Sequence, residues 1–334
     1  MLAEESLPFI VYIITTLSLL ANIIFIIVYY YCPLKKVKSY KYFFLFAAMQ
    51  DIVYSVAFLL SLPRLISQDN FMVFIATGAL RRQPIGFILI SLFYESFYVS
   101  SLIVTNSFIY RYLQLCRTEL FQMLSATRCR IMGFTINLLL MIILFVIFFL
   151  VALPGKELEF FVRNTVVISG ADIDGSSFVG FSVEHSSVVD IILLTILVLL
   201  SSAIAIINLF CARRIAVFLK TAALRHNPLT FQRKMFTLLL LQAGGPFFLA
   251  HLPLFFAVFL LFAGVNTTPL ITSIFDILIS LLPLLNPIII IVFITDYRKF
   301  VLLKLSFTKK VTGSVTSIVP QSGVVLMRRV TVIG

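Results

Sequence analysis

The sequence predicts an all-α membrane protein, a bundle of seven transmembrane helices with its amino terminus outside and its carboxyl terminus inside. Three observations carry this. Of 334 residues, 61% are hydrophobic and only 12% charged, with a mean hydropathy of +1.10, outside the composition of water-soluble domains. Seven apolar stretches reach the roughly 20 residues that a bilayer-crossing helix needs. The basic residues concentrate in alternate connecting loops, as the positive-inside rule requires.

The spans read as 7–31, 42–62, 85–110, 131–154, 187–211, 236–263 and 271–294, one seven-span domain over residues 1–300 followed by a flexible tail, 301–334. Lipid offers no partner to free backbone groups, so continuous helix is expected through each span. No ten-residue alternation of the kind that builds a membrane β-barrel is present. The first stretch is too long for a cleaved signal peptide, and Glu4 and Glu5 stand where a basic flank belongs. The fifth is marked by Asp190 near its start. Residues 71–80 are apolar but too short to span, and they lie at the interface or pack on the mouth of the bundle.

Orientation follows from charge. The net charge is +12, and 21 of the 26 basic residues fall in 32–41, 111–130, 213–234 and 298–329. With the amino terminus outside, all of these segments are inner. Only Arg64, Arg81, Arg82, Lys156 and Arg163 are outer. Inner-leaflet lipid accounts for the basic excess, and no nucleic-acid partner is expected. All four cysteines (Cys32, Cys116, Cys129 and Cys211) sit at or beyond inner helix ends, in a reducing compartment where disulfides are not expected. Asn266-Thr267-Thr268 is a glycosylation sequon between spans six and seven. The outer loop 155–186 carries five acids that steer cations or are simply solvated.

Polar residues within the spans are few. Asn22, Asp51 and Asn286 each lie nine residues inside an inner helix end, hence at one depth of ~14 Å. Groups that cost free energy in lipid are expected to partner each other. The other reading is three unrelated residues facing small water pockets. Pro246 and Pro253 in span six, with Gly244-Gly245 beside them, and Pro283 and Pro287 in span seven, are candidate kinks. Prolines and glycines are also simply commoner in membrane helices. A small, apolar or weakly polar ligand is expected among spans three, five, six and seven. Phe93, Phe97, Ser100, His251, Asp276 and Glu95 are the candidate contacts. Glu95 is 16 residues before Arg111, hence about 160° around the helix, and is expected to face a neighbouring span. No metal-ligand set or nucleophile–base pair is present, so neither an enzyme nor a cofactor is expected.

Arg111, in Phe-Ile-Tyr-Arg-Tyr (108–112), is the most informative residue. A guanidinium is always charged and costs several kcal/mol at the centre of a bilayer. At the end of span three it serves as an interface anchor or as part of a switch.

With Phe-Ile-Tyr-Arg-Tyr-Leu-Gln-Leu-Cys-Arg (108–117), Gln232-Arg233-Lys234-Met235-Phe236, Leu-Leu-Pro-Leu-Leu-Asn-Pro (281–287) and Ile-Thr-Asp-Tyr-Arg (294–298), the chain resembles a G-protein-coupled receptor. More closely, it resembles the nematode serpentine chemoreceptors of the Str type, over about residues 7–300. The resemblance implies a chemosensory, olfactory-type receptor in the plasma membrane, in the cilia of sensory neurons. It also implies a small-molecule odorant or pheromone as ligand and a heterotrimeric G protein as partner. Arg111, with Tyr110 and Tyr112, takes the role of G-protein-facing switch, and Asn22, Asp51, Asn286 and Pro287 form the intramembrane polar network. Four rhodopsin-like features are missing: no acid precedes Arg111, no tyrosine follows Asn286-Pro287 at the usual distance, span six has no tryptophan, and no cysteine pair ties span three to the second outer loop. A ligand-gated channel or small-molecule transporter is the alternative. The charge distribution opposes an inside amino terminus, and no repeated halves are present.

Overall fold

Long apolar runs satisfy their own backbone groups in lipid only as helices, and the computed structural model of the chain follows this rule. It describes residues 2–32, 41–68, 70–124, 127–153, 155–165, 175–184, 186–224 and 230–312. Seven helices are long and apolar enough to cross a membrane. Spans one to five are α1 (Leu2–Tyr31), α2 (Lys41–Ser61), α3 (Ile85–Cys116), α5 (Thr127–Ala152) and α7 (Val188–Leu224). The short α4 (Thr118–Leu124) and α6 (Lys156–Thr165) lie between them. Span six is α8 (Thr230–Pro246), a π turn (Phe247–His251) and α9 (Leu252–Phe262). Span seven is α10 (Pro269–Phe293), followed by α11 (Thr295–Thr312).

Several helices outlast their apolar stretch. Span three runs on to Cys116 rather than 110, so Arg111 sits inside it, and span five runs to Leu224. Basic side chains can extend from such a helix end into polar surroundings, so the helix need not stop where the apolar run does. Helix α11 likewise crosses the boundary at 300 where the tail was expected to begin, and residues 313–334 lie outside the described ones. Span three is the most enclosed helix and span four the least. Span seven packs chiefly on span one.

The fold also contains a sheet that periodicity did not predict. Strands β1 (Pro63–Gln68), β2 (Phe71–Ala76) and β3 (Phe178–Ser182) form an antiparallel sheet in the order β1-β2-β3. The stretch expected at the interface or on the bundle mouth is thus the central strand, and it covers the mouth. Both of its faces are buried, which is why it reads as an unbroken apolar run rather than an alternation. Met72, Phe74 and Ala76 face the bundle core, whereas Phe71, Val73 and Ile75 pack under Leu158, Phe161 and Val162 of α6. The β1–β2 turn is tight, with Gln68 opposite Phe71, and Asn70 takes the left-handed conformation (φ 64°) that asparagine tolerates.

The sheet's links run in all directions. Ser177 N–H donates to the Arg81 carbonyl (2.7 Å), joining β3 to the start of span three. Thr267 N–H donates to the Ser67 carbonyl (2.7 Å), and the Thr267 hydroxyl accepts from Ser67 N–H (3.0 Å), closing the free edge of β1. Asn266 therefore lies in a strand-like contact, and Thr268 caps α10 by accepting from Ile271 N–H. Span six ends in a Schellman motif at Gly264 (φ 64°), with Val265 N–H on the Leu260 carbonyl and Gly264 N–H on the Leu261 carbonyl.

Gly180 tests how closely the sheet is packed. A Cβ there would lie 2.6 Å from the Met72 carbonyl oxygen and 3.1 Å from Val73 Cα. Gly180→Ala is expected to destabilise the protein by about 1–3 kcal/mol, read as a lower melting temperature of the purified protein. An unchanged melting temperature would contradict this packing.

Candidate functional site

Prolines inside a membrane helix strip carbonyls of their partners, and two such carbonyls in span seven are recovered by other spans. Pro283 has no N–H for the Ile279 carbonyl, which accepts from the Tyr54 hydroxyl of span two (3.1 Å). Pro287 leaves the Pro283 carbonyl free, and it accepts from Asn22 Nδ2 of span one (2.9 Å). The Tyr54, Asn22 and Pro283 side chains are all buried. Spans one, two and seven are thereby tied together.

Asn286 donates to Asp51 Oδ2 at 2.7 Å and accepts from Gln242 Nε2 of span six at 2.9 Å. Asp51 and Asn286 meet as the common depth suggests, and Gln242 is the third partner in place of Asn22. These three residues, with Ser100, line a cavity of about 30 Å³, room for ordered water.

Span six is interrupted where Gly244-Gly245-Pro246 stands. Beyond Pro246 one turn is π-helical, with Leu252 N–H reaching back to the Phe247 carbonyl. Such turns favour functional sites because the helix there has two close-lying arrangements. His251 closes the turn, its Nδ1 3.1 Å from the Pro246 carbonyl and its ring 4.6 Å from that of Phe97. Span seven, with Pro283 and Pro287, stays one continuous helix.

At the opposite end from the sheet, Arg111 is buried, with 5% exposure. Its Nη1 donates to Oε1 of Gln232 at the start of span six (3.0 Å) and to Oε1 of Gln114 (3.1 Å). Both acceptors are neutral amides, so the latch between spans three and six is a charge-assisted hydrogen bond rather than an ion pair. Tyr110 packs between Phe43 and Phe121, at 5.6 and 5.3 Å. Tyr112 accepts from Arg117 and stands edge-on to Phe210 at 5.8 Å. Below them Tyr297 is fully buried against Phe25 (5.8 Å), and burial pushes both its phenol and the Cys32 thiol up from their ordinary pKa values.

Beneath the sheet, between spans three to six, lies a cavity of about 70 Å³. Met72, Phe74, Gly180 and Phe181 roof it, and Tyr94, Tyr98 and Ser201 supply its polar groups. The two phenols are 3.1 Å apart, Ser201 Oγ is 3.4 Å from Tyr98, and Phe148 stacks on Tyr94 at 3.7 Å. A cavity of this lining takes a small, mostly apolar molecule with one or two polar atoms.

A model of the serpentine type 7TM GPCR chemoreceptor Str family matches residues 7–302. The chain belongs to that family. A search of the curated proteins found no match. As a serpentine chemoreceptor it is a multi-pass membrane protein with a receptor's seven-helix bundle.

Within this receptor the six expected pocket residues scatter. Phe93 packs on Tyr54 and Phe58 (5.1 and 5.3 Å) and Phe97 on His251, both away from the roofed cavity. Ser100 lines the Asp51 cavity, and His251 a larger one between spans three, five and six. Asp276 lies 4.0 Å from Arg64 and accepts from Leu65 N–H of β1, a tether for the sheet. Glu95 is half-buried, and its Oε2 has no hydrogen-bond partner among the described residues. The cavity wall is one step round the helix, at Tyr94 and Tyr98. Span three is the most enclosed helix and offers no single inward stripe, so extrapolating from Arg111 over four turns selects Phe93 and Phe97, which lie outside the roofed cavity. The Tyr94, Tyr98, Ser101, Thr105 spacing of four, three and four was the usable signal.

Asn22→Ala is expected to cost about 1–3 kcal/mol by orphaning the Pro283 carbonyl. In a Pro287→Ala background the new N–H takes that carbonyl, and the same substitution costs less. Equal losses of thermal stability in both backgrounds would refute the capping role.

Proposed function

We propose that the protein is a chemosensory receptor of the plasma membrane, with its sheet end outside and its Arg111 end in the cytoplasm, coupling to a heterotrimeric G protein. The distribution of basic residues supports the orientation, and the family supports the chemosensory role. A small odorant or pheromone binds in the sheet-roofed cavity against Tyr94, Tyr98 and Ser201. In sensory neurons the ciliary membrane is its expected place.

The observation that carries the switch is the 3.0 Å contact from Arg111 to Gln232. It holds the cytoplasmic end of span six against span three. Ligand bound under the sheet touches Leu254, Phe255 and Val258 on the other side of the π turn. A shift of α9 relative to α8 at that turn breaks the latch and leaves the guanidinium, with Tyr110 and Tyr112 beside it, for the G protein. Differential affinity for the latched and open bundles is what converts binding into signal. Span seven, its freed carbonyls capped by spans one and two, serves as the frame against which span six moves.

Two substitutions with opposite signs test this. Arg111→Ala is expected to abolish coupling in a G-protein activation assay at normal surface delivery. Gln232→Leu removes the latch acceptor, about 1.5–3 kcal/mol, and is expected to raise ligand-free activity roughly tenfold. A fully coupling Arg111→Ala, or a silent Gln232→Leu in a receptor that couples, would overturn the latch.

A further inference from the structure

A second cavity of about 370 Å³ lies between spans three, five and six, below the roofed one. Its volume is that of a small-molecule site, ~300–1,000 Å³. The wall includes Ser101, Asn208, Leu209, Ala243, Phe247 and His251. Leu209 and Phe247 are exposed, at 72% and 43%, on the lipid-facing surface, so the cavity opens sideways into the bilayer. The sheet end gives it no such opening, because β2 and β3 are buried throughout.

On this wall Ser101 already donates to the Phe97 carbonyl (3.2 Å). His251 Nδ1 faces the Pro246 carbonyl, which only accepts, so Nδ1 carries the hydrogen in the neutral ring and Nε2 is an acceptor. No donor reaches Nε2 among the described residues. An unmatched acceptor, His251 Nε2, on a wall of mostly apolar side chains fits a molecule that brings a donor.

We propose that this cavity binds a neutral aliphatic alcohol that enters from the bilayer, its chain against spans five and six and its hydroxyl donating to His251 Nε2. The site is distinct from the roofed cavity and does not depend on G-protein coupling. Because the ring of His251 ends the π turn, an occupant would bear on the hinge of span six.

The chain contains no tryptophan, so Phe247→Trp supplies a single fluorophore at the rim. In the full-length protein reconstituted in phosphatidylcholine vesicles, quenching by 10-bromo-1-decanol is expected to saturate, while 1-bromodecane quenches only in proportion to its amount in the membrane. A tryptophan placed instead at Phe134, exposed on span four, should show proportional quenching by both. Ala243→Phe, or Ala205→Phe from the facing wall should the first fail to fold, is expected to abolish saturation, and His251→Leu to weaken it about fivefold. Proportional quenching by the alcohol, equal saturation by the bromoalkane, saturation that survives the filled cavity, or unchanged affinity in His251→Leu would each overturn the proposal. Because the assay contains no G protein, its result is independent of the coupling tests.

Discussion

Inside a bilayer every backbone polar group needs a protein partner, and this requirement organises the bundle. Prolines at 283 and 287 would each leave a carbonyl bare in lipid, at a cost of several kcal/mol. The protein meets this with one side chain from span two, Tyr54, and one from span one, Asn22. The caps fix the register of three helices at once, since a one-residue slip of span seven would lose both bonds. The Asp51–Asn286–Gln242 chain then extends the frame to span six by a single side-chain bond. The weaker attachment falls on the helix that contains a π turn. A rigid three-helix frame and a hinged neighbour are consequences of where the prolines lie.

The same requirement shapes the mouth. With no cysteine pair to fasten span three to the following loop, backbone hydrogen bonds do the fastening. Strand β3 pairs with β2 and joins Arg81, and the edge of β1 is taken up by Thr267. Each margin of the sheet is thus tied to the bundle, and α6 covers its outer face. This roof leaves a small chamber below it, walled by Met72, Phe74 and Phe181 and by spans three to six.

The seven spans were legible in the sequence because length and hydropathy suffice for helices in lipid. The sheet was not, because a strand buried on both faces carries no alternation and looks like a short helix or an interfacial segment. At the polar network, equal depth correctly brought Asp51 and Asn286 together. It misplaced Asn22, whose partner is a carbonyl that only the position of Pro287 reveals. Counting four residues back from each proline would have found both caps. Gln232 stood in a motif, yet neutral amides such as Gln232 and Gln242 gave no electrostatic hint of their partners. The face of span three that lines the roofed cavity was missed for a geometric reason. On the most enclosed of the spans, burial does not distinguish one neighbour from another.

The central claim is that spans one, two and seven form a fixed frame while span six swings when the Arg111–Gln232 contact is lost. Spin labels at Leu120, on α4 just beyond the inner end of span three, and at Arg233, with the native cysteines replaced by serine, report how far apart the inner ends of spans three and six lie by pulsed electron resonance. A second pair at Tyr31 and Lys299 reports the frame. The account predicts a longer Leu120–Arg233 population in Gln232→Leu than in the parent protein, with the Tyr31–Lys299 distance unchanged. Identical Leu120–Arg233 distributions in the two proteins, or a Tyr31–Lys299 distance that shifts with them, would contradict it.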